Sequence, residues 1–244
     1  MCATCGCSGT TTGVHDHPHD HDHGHGHSRV ITLEQDILAK NDVLAARNRD
    51  WFAAHGILAV NLMSSPGAGK TTLLERTIRD VGDELGLSVI EGDQETLLDA
   101  ERIRAAGCAA VQINTGSGCH LDAEMLARGL RELQPADRSL VMIENVGNLV
   151  CPALFDLGER AKVVIMSVTE GADKPLKYPQ MFRAGQVLVL NKIDLLPHLE
   201  FDLDRCVDLA TSVNPDLTVL PLSATRGDGL DAWYSWLRAQ HAAS

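Results

Sequence analysis

The sequence predicts an α/β fold, a mostly parallel sheet flanked by helices and preceded by a flexible Cys/His-rich N-terminal tail. Seven short apolar runs carry this expectation: ILAVNLM, LSVIEG, AAVQIN, SLVMIEN, KVVIMSV, QVLVLN and LTVLPLS. They alternate with stretches at helical spacing such as TTLLERTIRDV, LDAEMLARGLREL and LDAWYSWLRAQ. Continuous Val/Ile/Leu runs, as opposed to alternating ones, belong to strands buried on both faces, and helical crossovers produce that burial in parallel sheets. A further observation is positional. Nearly every chemically distinctive residue falls just after one of these runs, and ligands gather at the carboxyl ends of such strands.

A chain of 244 residues suits one domain plus a tail. The division expected is a Cys/His-rich tail over 1–30 and a folded domain with a leading helix over 31–244. An apolar content of 44% supplies a sizeable core. The formal charge of −12 excludes wholesale binding of nucleic-acid phosphates. No apolar run reaches the length of a membrane span, and the N-terminus lacks the layout of a secretory signal. Seven cysteines in a chain of this size read as free thiols in a reducing cytoplasm.

The first 30 residues contain MCATCGC, a Ser/Thr/Gly stretch and HDHPHDHDHGHGH, with almost nothing able to build a core. Cys2, Cys5 and Cys7 crowd three thiols against a free amine, and three sulfurs plus a nitrogen suit the planar preference of Ni²⁺ better than Zn²⁺. His15, His17, His19, His21, His23, His25 and His27 offer many imidazoles suited to weaker, multiple-site storage. The first helix is expected to start near Thr32, where T-L-E-Q matches a capping box and Leu33, Ile37, Leu44 and Trp51 keep helical spacing. Gly56 is its expected stop.

The first apolar run leads into Ser64-Ser65-Pro66-Gly67-Ala68-Gly69-Lys70-Thr71-Thr72. This fits the P-loop pattern G-x-x-x-x-G-K-[ST] except that Ser64 stands at the first glycine. Gly67 and Gly69 let backbone N–H groups close around phosphate oxygens, Lys70 supplies a cation, and Thr71 offers a hydroxyl to Mg²⁺. Ser65, Ala68 and Thr72 complete the cradle, and the following helix aims its positive end at the same anion.

QVLVL ends in Asn191-Lys192-Ile193-Asp194, which resembles the N-K-x-D guanine motif of GTPases. A carboxylate at Asp194 accepts from the ring N–H and the exocyclic amine of guanine together. Adenine lacks both donors on that edge. Ser223-Ala224 resembles the second base-contacting loop. Two acids end strands, Asp93 after LSVIEG and Glu144 after SLVMI. One completes Mg²⁺ coordination beside Thr71, and the other holds a metal-bound water or orients the attacking one. Glu144-Asn145-Val146-Gly147 replaces the usual D-x-x-G, with the Gly147 N–H directed at the γ-phosphate. No arginine finger or water-activating glutamine stands out, so slow hydrolysis is expected.

Cys119-His120 follows Thr115-Gly116-Ser117-Gly118, and Cys151 follows the switch by four residues. Two thiolates and an imidazole suit Zn²⁺ or Ni²⁺ but fall one short of a closed tetrahedral site. A water, or ligands from a second copy across a two-fold axis, fills that gap. Cys108 and Cys206 read as small buried hydrophobes, and Leu195, Leu196, Leu199 and Phe201 as either core or a dimer patch.

MCATCGC, the histidine stretch, SSPGAGKTTLLE, EGDQET, TGSGCHL, ENVGNLVCP, EGADKPLKYP and NKIDLLP together resemble the HypB family of nickel-inserting GTPases over essentially the whole chain. The resemblance implies a nucleotide-binding domain of the SIMIBI class, dimerising with GTP. It implies nickel sites at Cys2, Cys5 and Cys7 and at Cys119, His120 and Cys151, with Zn²⁺ also a candidate at the second. Implied partners are a HypA-type metallochaperone and the precursor of the [NiFe]-hydrogenase large subunit. The related urease GTPases carry a Cys-Pro-His triplet, whereas here Cys151-Pro152 is followed by Ala153.

Overall fold

Each of the seven apolar runs forms a strand, and all seven pair in parallel. The computed structural model describes residues 25–93, 98–116 and 118–244; the side chains of 25–34 and 98–100 are not described. The expected metal ligands Cys2, Cys5, Cys7, His15, His17, His19, His21 and His23 lie outside the described residues.

The strands are β1 (Leu58–Ser64), β2 (Leu87–Asp93), β3 (Ala109–Asn114), β4 (Leu140–Glu144), β5 (Ala161–Ser167), β6 (Val187–Asn191) and β7 (Thr218–Pro221). Their order across the sheet is β3-β2-β4-β1-β5-β6-β7. β1, β4 and β6 are buried along their whole length, whereas the outermost β3 and β7 are partly exposed, so the unbroken apolar runs mark the centre of the sheet.

Helices cover both faces: α1 (His25–His55), α2 (Lys70–Leu85), α3 (Leu98–Ala105), α4 (Ala123–Leu133), α5 (Cys151–Leu154), α6 (Lys174–Lys177), α7 (Pro179–Ala184), α8 (Leu203–Val213) and α9 (Leu230–Ala242), with a 3-10 turn over Ile193–His198. Successive strand side chains point to opposite faces. Leu58, Val60 and Leu62 therefore pack with Leu73, Leu74 and Ile78 of α2 and Trp233 of α9. On the other face, Ala59, Ile90 and Val141 pack with Phe52 of α1 and Leu126 and Leu130 of α4. Beyond β1 on that face, Met63, Val164 and Leu188 pack with Phe182 of α7 and Cys206 of α8.

One expectation is corrected. α1 is already helical at His25, ahead of Thr32 and inside the segment assigned to the tail, so T-L-E-Q lies within the helix and does not cap it. No Pro or Gly occurs from His27 to His55, so nothing in the chain interrupts the helix. His25 and His27 thus fall in its first turn. Gly56 does end it, in the left-handed conformation at φ 60°. None of the described helices is long and apolar enough to cross a membrane.

Candidate functional site

Because β4 lies between β2 and β1, the acids expected at the strand ends meet the phosphate loop. Glu144 pairs in register with Glu91 of β2 and Leu62 of β1. A cavity of about 460 Å3 opens there, walled by residues 64–72, Asp93, Glu144–Gly147 and Lys192. α2 starts at Lys70 directly after Gly69, whose φ of 93° is left-handed. A side chain at Gly69 would also collide with the amide of Asn191. Glycine is required there on both counts.

At the cavity floor Glu144 accepts from Lys70 Nζ at 2.7 Å and from Thr71 Oγ1 at 2.6 Å, both on Oε1. Its other oxygen is buried without a hydrogen-bond partner. A buried orphan carboxylate oxygen beside a threonine hydroxyl is an oxygen donor set for a hard cation, so these residues fit Mg²⁺. Gly147 stacks on the loop, and a Cβ there would stand 3.3 Å from Pro66.

The expected base-binding residues form a neighbouring cluster. Asn191 is buried, donates to the carbonyl of Ala68 at 2.9 Å, and accepts from the N–H groups of Lys192 and Ala224 at 2.8 and 3.1 Å. Its bonds are spent on protein, so it positions the loops bearing Asp194, Ser223 and Ala224. Lys192 donates to the carbonyl of Gly67 at 2.7 Å. Asp194 keeps one buried oxygen without a hydrogen-bond partner, as a guanine acceptor requires.

Cys119, His120 and Cys151 do converge: one ligand atom from each lies within 4.8 Å of the others. Cys119 Sγ is 3.6 Å from His120 Nδ1. Cys151 is buried at the start of α5, and the His120 ring lies on Phe155 with centroids 3.9 Å apart. Burial holds the His120 pKa below its ordinary value, opposed by Asp122, which keeps the imidazole neutral and able to donate to a metal. Two sulfurs and a nitrogen at this separation fit a soft or borderline divalent ion. Cys108 and Cys206 are buried, as expected.

Several contributing residues were not singled out by the sequence. Asn145 accepts at Oδ1 from the N–H of Leu121 at 3.1 Å and donates to Asn61, while the Thr115 N–H donates to the carbonyl of Asp93 at 3.0 Å. The loop bearing Cys119 and His120 is thereby anchored to the ends of β2 and β4. Glu170 joins the phosphate loop to β5, accepting from Ser65 Oγ at 2.5 Å and the Ser167 N–H at 2.8 Å while pairing with Lys174. Arg102 lines the cavity in a two-pronged pair with Glu75 at 3.0 and 3.1 Å. The short x-N-V-G and E-G-A-D patterns were visible, but their partners are distant in sequence.

Comparison with known proteins agrees with this geometry. Residues 58–221 match the family described as CobW/HypB/UreG, nucleotide-binding domain. The chain is 57% identical over 214 residues to the hydrogenase maturation factor HypB of Rhizobium leguminosarum bv. viciae, covering 88% of this chain and 72% of that one. It is similar to the crystal structure of HypB from Archaeoglobus fulgidus, with TM-score 0.78 and 40% identity over 84% of this chain and 100% of that one. It is also similar to HypB from Helicobacter pylori in complex with nickel, with TM-score 0.77 and 36% identity over 83% and 95%.

Proposed function

Since this chain belongs to the HypB family of CobW/HypB/UreG nucleotide-binding proteins, we propose that it hydrolyses GTP slowly, binds nickel and assists its insertion into the large subunit of a [NiFe]-hydrogenase. The observation that carries the reading is the convergence of Cys119, His120 and Cys151 beside a strand end whose Glu144 holds both Lys70 and Thr71.

Lys70 and Thr71 both donate to Glu144. A triphosphate competes for both, since its oxygens are stronger acceptors for the ammonium. Thr71, Asp93 and Glu144 would hold Mg²⁺, which when bound neutralises charge on the phosphates. Asp194 selects guanine, and Ser65, Gly67, Ala68, Gly69 and Thr72 cradle the phosphates.

Gly147 senses the γ-phosphate from its seat on Pro66. Displacement there is transmitted along Asn145 to Leu121, and four residues on to Cys151, so the three metal-side donors feel the nucleotide state. Nickel is the cargo; Zn²⁺ suits the same donors. Cys2, Cys5 and Cys7 form a second nickel site, with the histidines from His15 to His27 as a store, so residues 1–30 serve the metal and 31–244 the nucleotide. GTP-dependent pairing of two copies and partnership with a HypA-type metallochaperone and the large-subunit precursor, in the cytoplasm, complete the cycle.

The test is Ni²⁺ affinity of the full chain with Cys2, Cys5 and Cys7 changed to serine, measured with GDP and with a non-hydrolysable GTP analogue. The expected difference is about tenfold or more, because a ligand can shift an equilibrium only by its differential affinity. Equal affinities would defeat the coupling. GTP turnover no faster than that of Lys70→Ala would leave a nickel store.

A further inference from the structure

Two asparagines of α1 tie together the segments that carry the metal-side donors. Asn41 donates from Nδ2 to the carbonyl of Asp156 at 2.7 Å and accepts at Oδ1 from the N–H of Ala123 at 2.9 Å. Asn48 lies two turns further along and donates to the carbonyls of Ala123 at 2.9 Å and Leu157 at 3.0 Å. Both side chains are buried, at 5% and 6% exposure. Ala123 stands three residues beyond His120, and Asp156 and Leu157 follow Phe155, the ring on which His120 rests.

Attachment of α1 to the domain does not require these bonds. Phe52 already packs it into the core, and the helix sits directly on the backbone of Gly158, where a Cβ would meet Ala45 O, Arg49 N and Asn48 Cβ within 2.8 Å. Four side-chain-to-backbone bonds from two residues instead reach two segments that do not otherwise adjoin in sequence. Each fixes a backbone group near a donor, and buried bonds of this kind are costly to break because the partner is left unsatisfied.

We propose that Asn41 and Asn48 are positioning residues for the metal, with α1 acting as a brace that sets the separation of Cys119 and His120 from Cys151. This rests on the reading of those three side chains as a metal site. Outer partners of metal ligands typically govern affinity by about 10–100-fold, and the brace acts one step further out, on the backbone three residues beyond His120 and five and six residues beyond Cys151.

The test uses the full chain with Cys2, Cys5 and Cys7 changed to serine, titrated with Co²⁺ against a competing chelator. Thiolate-to-cobalt absorption then reports Cys119 and Cys151, and GDP affinity reports the integrity of the domain. Asn41→Leu and Asn48→Leu are expected to weaken Co²⁺ binding by about 10-fold or more and to alter the absorption band, with GDP affinity kept within about twofold. Asn48→Asp, which keeps the volume and loses the donor, is expected to weaken Co²⁺ binding likewise and carries the test if the leucine variants do not fold. Unchanged Co²⁺ affinity and spectrum in the variants would overturn the proposal. So would loss of GDP binding in step with the metal in Asn48→Asp, which would make α1 a folding element only. Absence of the thiolate band in the parent chain would instead sink the metal-site reading on which the proposal rests.

Discussion

The side-chain oxygen of Asn145 accepts from the backbone N–H of Leu121 at 3.1 Å, joining the residue after the switch acid Glu144 to the residue after His120. The proposed nucleotide and metal sites are thus linked by one hydrogen bond. Asn145→Ala is expected to leave Ni²⁺ affinity nearly the same with GDP and with a GTP analogue, where the unmodified protein is expected to differ. It also takes the Asn145 donor from Asn61 Oδ1, which leaves Asn61 only its bond to Glu159, so a stability loss of about 1–3 kcal/mol accompanies it. Competition titrations and urea unfolding measure the two effects. Retention of the full nucleotide dependence would place the coupling elsewhere.

Lys70 and Glu144 form a largely enclosed ion pair in the cavity at the phosphate loop, at 2.7 Å with side chains 12% and 3% exposed. Lys70→Ala removes a cation aimed at developing phosphate charge and is expected to slow phosphate release from GTP by at least about 100-fold. The nucleotide-free protein also loses stability, because Glu144 keeps only the Thr71 hydroxyl for its Oε1. Phosphate release and the melting temperature without nucleotide check both.

Asp194→Asn exchanges an acceptor for a donor on the face where guanine offers its amine. Affinity for GTP is expected to fall by about 10²-fold or more, and affinity for XTP, which carries a carbonyl in place of that amine, to rise. Competition between the two nucleotides decides it. An undiminished preference for GTP would remove Asp194 from base recognition.

Burial pushes the Cys108 thiol up to about 12 and the Cys206 thiol up to about 11 from the ordinary 9.0. Both groups have folded values above their unfolded ones, so their contribution to stability is complete below pH 9 and is lost as pH rises toward 11–12. Each thiol adds a slope of up to about 1.4 kcal/mol per pH unit in that window. The stability difference between the unmodified protein and a Cys108→Ala, Cys206→Ala variant should shrink between pH 9 and 11, as read from urea midpoints. A constant difference would contradict the burial of both thiols.

Local chemistry made much of this molecule readable from its residues. The runs of β1, β4 and β6 were the plainest to read because these strands are buried along their whole length. The phosphate loop was legible because glycine and lysine at that spacing have few other uses. Cys119, His120 and Cys151 were legible because each follows a strand end on one edge of the sheet. Asn41, Asn48 and Asn145 were not. The backbone groups they tie down at Leu121, Ala123, Asp156 and Leu157 lie 24 to 115 residues away, and a buried asparagine has no spacing pattern that announces such a partner. The early start of α1 was hidden for a related reason: T-L-E-Q is as compatible with a helix interior as with a cap.

The three metal-side donors all lie beyond the ends of β3 and β4, on segments separate from the loop that cradles phosphate. Exchanging a donor at 119, 120 or 151 leaves Lys70, Thr71 and Glu144 where they are. The arrangement therefore makes the two sets of residues separately replaceable. Two short loops can be refitted for a different ion while the cavity around the phosphate loop keeps every side chain it has.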